Sequence, residues 1–380
     1  MTAMNASWIK HPGYYLKEEM EERGWMQRDL AFVLGCPEQA VNLILSGKRG
    51  ISPEMAKALG EAFDIDPDTF ANLQKAYDMA HAGDPDPGVT VRAKMQNKYP
   101  VREMIMRGWI EPSDAVMLET QLEKFFEVPS ADEIPYLNFA AYGKKSRYEE
   151  KEVPPIELAW LFRVKQLAKS MSVPKYSESA LRKALNDLQS LLYAPEEARH
   201  VPRILTECGV RFMLVEKLPQ AEIDGVCFWL EGSPVIGMST RRDKIDNFWF
   251  VLRHEIEHAL QKHGLATNEE MIDWKLEGVR ASTSSTLRME ERVANAAAAN
   301  FCVPTEKLDS FMTRKHPFYY ERDVINLART LGRHPGLVVG QMQFRMERYD
   351  YLVRHLAKVR QFVLPGAISD GWGHIASVSL

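Results

Sequence analysis

The sequence predicts a multidomain chain of α and α+β parts: an N-terminal all-α domain, a helical connector and a C-terminal α+β domain. Three observations point there. Residues 12 to 80 break into five short helical segments separated by clear stops. Gly83-Asp84-Pro85-Asp86-Pro87-Gly88 puts two Gly, two Pro and two Asp into six residues, which cannot continue a helix. Far downstream, two long helical stretches carry clustered His and Glu. The expected boundaries are 1–82, 83–153 for the linker and connector, 154–348, and a C-terminal helix and tail at 349–380.

Taking the elements in order, Pro12 to Glu22 predicts the first helix, and Met26 to Leu34 a second that ends at Gly35. After the turn Gly35-Cys36-Pro37 a third runs from Glu38 to Leu45 and stops at Ser46-Gly47. A fourth follows Ser52-Pro53 and ends near Phe63. A fifth starts at Pro67, with Asp66 as its N-cap. Leu30, Ala31, Val41 and Ile44 are spaced to pack the second helix on the third. Two short helices joined by a tight turn, the second ending before Gly47-Lys48-Arg49-Gly50, follow helix-turn-helix grammar.

The stretches Gln27-Arg28-Asp29-Leu30-Ala31 and Val41 to Ser52 resemble the Xre/Cro-like helix-turn-helix family, most closely the HigA type of antitoxin and regulator. The resemblance implies that Gln39 and Asn42 face the major groove of a double-stranded DNA operator. It also implies phosphate contacts from Gln27, Lys48 and Arg49. The chemistry fits, because side-chain amides pair with adenine and cations neutralise phosphate. Residues 1 to 80 nevertheless hold eight Lys and Arg against twelve Asp and Glu. Much of the acid lies in Glu18-Glu19, Glu21-Glu22, Asp64, Asp66 and Asp68. A DNA-binding surface is usually basic, so binding is expected to be weak per protomer and to rest on a homodimer.

Past the break, Val101 to Phe126 reads as a helical connector with Pro100 before it and Arg107-Gly108-Trp109 inside. A second break spans Gly143 to Pro155. Helices are expected at Ile156 to Met171, Ser179 to Tyr193 and Pro195 to Cys208, with Trp160, Phe162 and Leu167 as core.

Residues Asn247 to Lys262 predict a helix with Phe248, Trp249, Val251, Leu252, Ile256 and Leu260 as its apolar content. Within it, His254-Glu255-Ile256-Glu257-His258 reads H-E-x-x-H. Residues four apart share a helix face, so both imidazoles can reach one metal ion. Glu255, one step round, can take a proton from water without being a ligand. That is the working arrangement of a zinc metallopeptidase, and catalytic zinc usually needs a third protein ligand. The pattern H-E-x-x-H-x-x-G-x-x-H is excluded, because Gln261 stands at the Gly position and Gly264 at the last His. The other solution is a Glu on a later helix. Met289 to Pro304 is Ala-rich, hence helical and able to pack closely, and Pro304 ends it. Glu290 and Glu291 point about 100° apart there, so only one can face the metal.

H-E-x-x-H followed by Glu291-Arg292-Val293-Ala294-Asn295-Ala296-Ala297-Ala298 and then Val303-Pro304 resembles the ImmA/IrrE metallopeptidase family. Asp243 to Phe250 is similar to that family's approach to the motif. The resemblance covers residues 155 to 345 and implies a zincin-like α+β fold. It implies His254, His258 and Glu291 as zinc ligands and Glu255 as general base. It also implies strands before the helix, which Val210 to Val215, Val226 to Leu230 and Pro234 to Met238 supply. Glu257 departs from the small residue usual there and puts an extra carboxylate near the site. Lys262 stands where the family often has another His, and His263 is one residue later.

Leu265 to Leu287 is polar and expected to be mobile beside the site. Arg322 to Leu331 and Gly336 to Arg345 read as helices. His334 between them reads as a turn residue, Cys302 as buried packing, and the chain as loose from Asp370. Four Cys without C-x-x-C spacing, no signal peptide at Met1 to Lys10 and no membrane-length apolar run place the expected protein in the cytoplasm, off the membrane.

The expected function is a transcriptional regulator with a zinc metallopeptidase that cleaves a repressor-type protein, itself or a partner. The substrate would add as a strand at a sheet edge, with Pro234 to Met238 as the candidate. The alternative is a HigA-like antitoxin whose zinc domain senses or binds a partner, such as a toxin, without proteolysis. A metal hydrolase acting on a small molecule ranks third, since no phosphate or nucleotide motif accompanies the site.

Overall fold

The computed structural model describes residues 9–131, 154–263, 271–273 and 289–377. Most of Leu265 to Leu287 lies outside the described residues. The chain divides into two compact units, residues 1–87 and 88–380.

Among the described residues the first unit holds five helices: α1 Pro12–Glu22, α2 Gln27–Leu34, α3 Glu38–Leu45, α4 Pro53–Phe63 and α5 Pro67–His81. Local chemistry sets their starts. The carboxylate of Asp29 accepts from the backbone N–H of Met26 at 2.7 Å, so α2 begins at Gln27. Ser52 caps α4 by accepting from Met55, and Asp66 caps α5 by accepting from Asp68. α2 ends where Gly35 takes φ 62°, a left-handed turn that suits glycine. Leu16, Leu30, Val41, Ile44, Leu59, Phe63 and Phe70 form the core. α1 crosses α3 so closely that a Cβ on Gly13 would lie 2.2 Å from the carbonyl oxygen of Ile44.

The second unit opens with α6 Gly88–Lys98, α7 Val101–Met106 and α8 Ala115–Phe126. The connector expected as one stretch from Val101 to Phe126 is thus broken, with Gly108 at φ 64°. Then come α9 Pro155–Ser170, α10 Glu178–Ser190, a 3-10 turn Pro195–His200 and α11 Val201–Glu207. Three strands follow: β1 Arg211–Val215, β2 Gly225–Leu230 and β3 Ser233–Met238. After them lie α12 Ile245–Leu260, β4 Met271–Asp273 and α13 Met289–Cys302. The chain continues through α14 Thr305–Lys315, α15 Glu321–Leu331, α16 Pro335–Met346, α17 Arg360–Val363 and β5 Ile368–Asp370. Helices α6 and α14 were not expected from the sequence.

Among the described residues five strands form one mixed sheet in the order β4-β2-β3-β1-β5. β1 runs parallel to β3 and β5, while β2 is antiparallel to β3 and β4. Alternation divides the strand residues between two faces. Phe212, Leu214, Cys227, Ile236 and Met238 pack with α10, α11, α12, α13 and α16. Met213, Val215, Val226, Phe228 and Val235 pack with α6 to α9. A sheet covered on both faces needs strands apolar at nearly every position, which is the pattern of all three longer strands.

Two expectations are corrected. β3 lies inside the sheet, bonded on both sides, so Pro234 to Met238 offers no edge for a peptide. The C-terminal segment is not loose at Asp370: that side chain is fully buried and accepts from Trp109 Nε1 at 2.9 Å and Arg163 Nε at 2.9 Å. Among the described residues no helix is long and apolar enough to cross a membrane.

Candidate metal centre

Helix α12 runs through the middle of the second unit. From Phe248 to Leu260 every residue is buried, charged ones included. Buried polar groups need partners, and those of α12 sort onto two faces. On one, Nε2 of His254 and Nε2 of His258 stand 2.9 Å apart. Glu291 on α13 reaches both, with Oε2 at 3.3 Å from His254 Nε2 and Oε1 at 3.4 Å from His258 Nε2. One donor atom from each of the three residues fits within 4.8 Å of the others. Ala294 and Ala298, both fully buried, let α13 approach α12 closely enough for this. The structure brings Glu291, rather than the adjacent Glu290, to the His pair.

The donor set is two imidazole nitrogens and a carboxylate, a set that suits zinc. Its electrostatics suit a cation as well. Burial, with the neighbouring His254, lowers the pKa of His258 to about 3 against the opposing pull of Glu291. That imidazole is therefore neutral near pH 7. Burial opposes ionisation of Glu291, but its hydrogen bond to His254 and the His258 and His254 charges outweigh it, so its pKa falls below the usual value. A neutral His258 facing a carboxylate need not lose a proton before taking up a metal. Asn295, one turn after Glu291, places its Oδ1 3.1 Å from Nδ1 of His254. A proton on that Nδ1 leaves Nε2 bare and turned into the site.

Glu255 is 1% exposed. Its carboxylate fits because β2 starts with a glycine: a Cβ on Gly225 would lie 2.6 Å from Glu255 Oε1. Glu257, expected to add a carboxylate near the site, turns to the other face of α12. There it accepts from Arg253 Nη2 at 2.6 Å and Gln261 Nε2 at 2.7 Å. His334 accepts from the backbone N–H of Gly336 at 3.1 Å and caps α16. Cys302 is buried, and that burial pushes its thiol up to about 12, so it stays protonated. Sequence reasoning missed Gly225 and the role of Asn295, although its position one turn from Glu291 was visible.

In the first unit, Gln39 and Asn42 are exposed, three apart on one face of α3. The backbone N–H groups of Lys48 and Arg49 both donate to the Leu43 carbonyl, at 2.9 and 3.0 Å. This turn presents both exposed cations just past the end of α3. Gln27 is half-buried at the first position of α2.

Comparison with known proteins agrees with this division. A helix-turn-helix family model matches residues 16–70. A model described as an IrrE N-terminal-like domain, of a peptidase family, matches residues 209–345. Virulence-associated protein A' of Dichelobacter nodosus is 36% identical over 75 residues, or 20% of this chain. The chain spans 65% of the length of that curated relative. The solved structure of an addiction module antidote protein of a HigA family from Coxiella burnetii shares 28% identity. That match covers 27% of this chain and 97% of the other, with a TM-score of 0.19. The chain therefore carries an Xre-like helix-turn-helix domain at its N-terminus and an IrrE/ImmA-like domain of the M78 peptidase family at its C-terminus.

Proposed function

We propose that this chain is a cytoplasmic transcriptional regulator that binds a DNA operator as a homodimer and carries a zinc metallopeptidase in its second unit. Its substrate is a repressor-type protein, either its own helix-turn-helix domain or a partner's. The observation that carries the reading is the convergence of His254, His258 and Glu291 within 4.8 Å in a buried site. Zinc bound there would act as a Lewis acid on water and on the scissile carbonyl. Glu255 lies beside His254 on the same helix, held in a nearly dry environment. It accepts the proton of the attacking water and returns it to the leaving amine. Asn42 and Gln39 read bases while Gln27, Lys48 and Arg49 hold phosphates.

The test is incubation of the zinc-loaded full chain with candidate repressors, its own second copy included, followed by mass spectrometry of fragments. Cleavage by wild type, lost in Glu255→Gln while zinc and fold are retained, is the expected result. Wild-type protein that holds zinc and cuts none of them would favour a HigA-like regulator that binds a partner, such as a toxin, without proteolysis.

A further inference from the structure

We infer that His263 is a positioning residue for the metal centre: its Nδ1 accepts the Nδ1–H of His258 and so fixes the tautomer that turns His258 Nε2 toward His254 and Glu291. This rests on the zinc reading of the site and deepens it.

Spacing alone does not suggest the contact. Residues five apart on a continuous helix lie about 140° round from each other, so their side chains diverge. The helix end changes that. α12 stops at Leu260 with Gln261 as its C-cap, and Lys262 takes φ 57°. The backbone N–H of His263 donates to the carbonyl of His258 at 3.0 Å, and that of Lys262 to Ala259 at 3.2 Å. These two bonds, six-to-one and five-to-two, define a Schellman motif. In that motif the residue after the left-handed position folds back over the third-last residue of the helix. A hydrophobic contact commonly fills this place. Here two imidazoles fill it, with Nδ1 to Nδ1 at 2.8 Å and ring centroids 5.0 Å apart.

The direction of the bond follows from the site. His258 Nε2 lies 2.9 Å from His254 Nε2 and 3.4 Å from Glu291 Oε1, where a metal donor must be bare. The His258 proton then sits on Nδ1, and His263 Nδ1 is the acceptor. His263 is itself anchored, since its carbonyl accepts from Trp229 Nε1 at 2.9 Å and Trp229 packs edge-on against Tyr176. Lys262 is tied to Glu178 at 3.0 Å, which braces the left-handed residue. The arrangement mirrors Asn295 on His254, so each His of the pair has its own acceptor behind it. Groups that orient metal-binding imidazoles typically contribute about 10- to 100-fold in metal affinity.

The experiment uses the full chain with His263→Ala and His263→Asn; the Asn Oδ1 sits close to where the His Nδ1 was. Zinc affinity is read by chelator competition. The tautomer of His258 is read by nitrogen NMR on histidine-labelled, zinc-free protein. The expected result is zinc binding weakened about 10- to 100-fold in His263→Ala and largely restored in His263→Asn. His258 should carry its proton on Nδ1 in wild type and His263→Asn and become mixed in His263→Ala. Unchanged affinity in His263→Ala, or equal losses in both variants, overturns the inference. The tautomer readout needs no metal and no cleavage. An Nε2–H form of His258 in wild type therefore overturns this inference even where zinc binds and substrate is cut.

Discussion

The amide oxygen of Asn295 stands 3.1 Å from Nδ1 of His254, and Asn295 lies one turn beyond Glu291 on α13. One helix thus supplies both a candidate ligand and the hydrogen-bond partner of a second candidate ligand on another helix. Asn295→Ala should weaken zinc binding by about 10- to 100-fold, while Asn295→Asp, which keeps the acceptor, should bind zinc far better than the Ala variant. Chelator competition checks both, and wild-type affinity in Asn295→Ala would remove the orienting role.

Glu291→Gln removes the carboxylate that faces both imidazoles. Zinc content after dialysis should drop to a small fraction of wild type, and Glu290→Gln should leave it near one per chain. The reverse pattern would move the third ligand by one residue.

In zinc-free protein, His258 gives a signed pH dependence. Its folded pKa of about 3 lies below the unfolded value of 6.5. Below pH 6.5 the unfolded imidazole takes a proton that the folded one refuses. Stability must then fall as pH drops from 6.5 toward 3, by up to about 1.4 kcal/mol per pH unit from this group. Urea unfolding at pH 7, 6 and 5 should show a shallower decline in His258→Gln than in wild type. Parallel declines would mean that the imidazole is not held neutral.

Asp370 is buried against Arg163 and Trp109, with Arg163 Nε at 2.9 Å and Trp109 Nε1 at 2.9 Å. It ends β5, which pairs with β1. Asp370→Asn leaves the Arg163 charge buried and uncompensated and should cost about 3–5 kcal/mol. Denaturant unfolding followed by tryptophan fluorescence measures the loss. A change below about 1 kcal/mol, the range of exposed pairs, would mean that water reaches this pair.

Asn42→Ala should cost about 1–3 kcal/mol against the cognate operator and relax one base position. Lys48→Ala and Arg49→Ala should weaken all sequences alike and flatten the salt dependence. Titrations at several salt concentrations separate the two effects. Base selectivity lost in Lys48→Ala but kept in Asn42→Ala would reverse the assignments.

Elements with local causes were legible in the sequence. The five N-terminal helices were readable because each start and stop is a nearest-neighbour event, as with Ser52 on Met55 and Gly35 at φ 62°. The H-E-x-x-H face was readable because helical spacing fixes which side chains share a face. Helix α6 was missed because it begins at Gly88, inside a segment that reads as a linker, and buries only Met95.

The sequence by itself determined the candidate groups: the His254 and His258 pair on one helix face, an adjacent carboxylate, and an Ala-rich helix bearing a second acid. Tertiary structure decided how they are arranged. It turned Glu257 away to Arg253 and Gln261, and it folded His263 back onto His258 through a left-handed Lys262. It also placed β3 in the sheet interior and drew Asp370 into the core. The physical reason is one of range. Spacing and capping act within a few residues, whereas strand order, the partner of a buried charge and the imidazole that meets His258 depend on segments distant in the chain or on a reversal that periodicity does not encode.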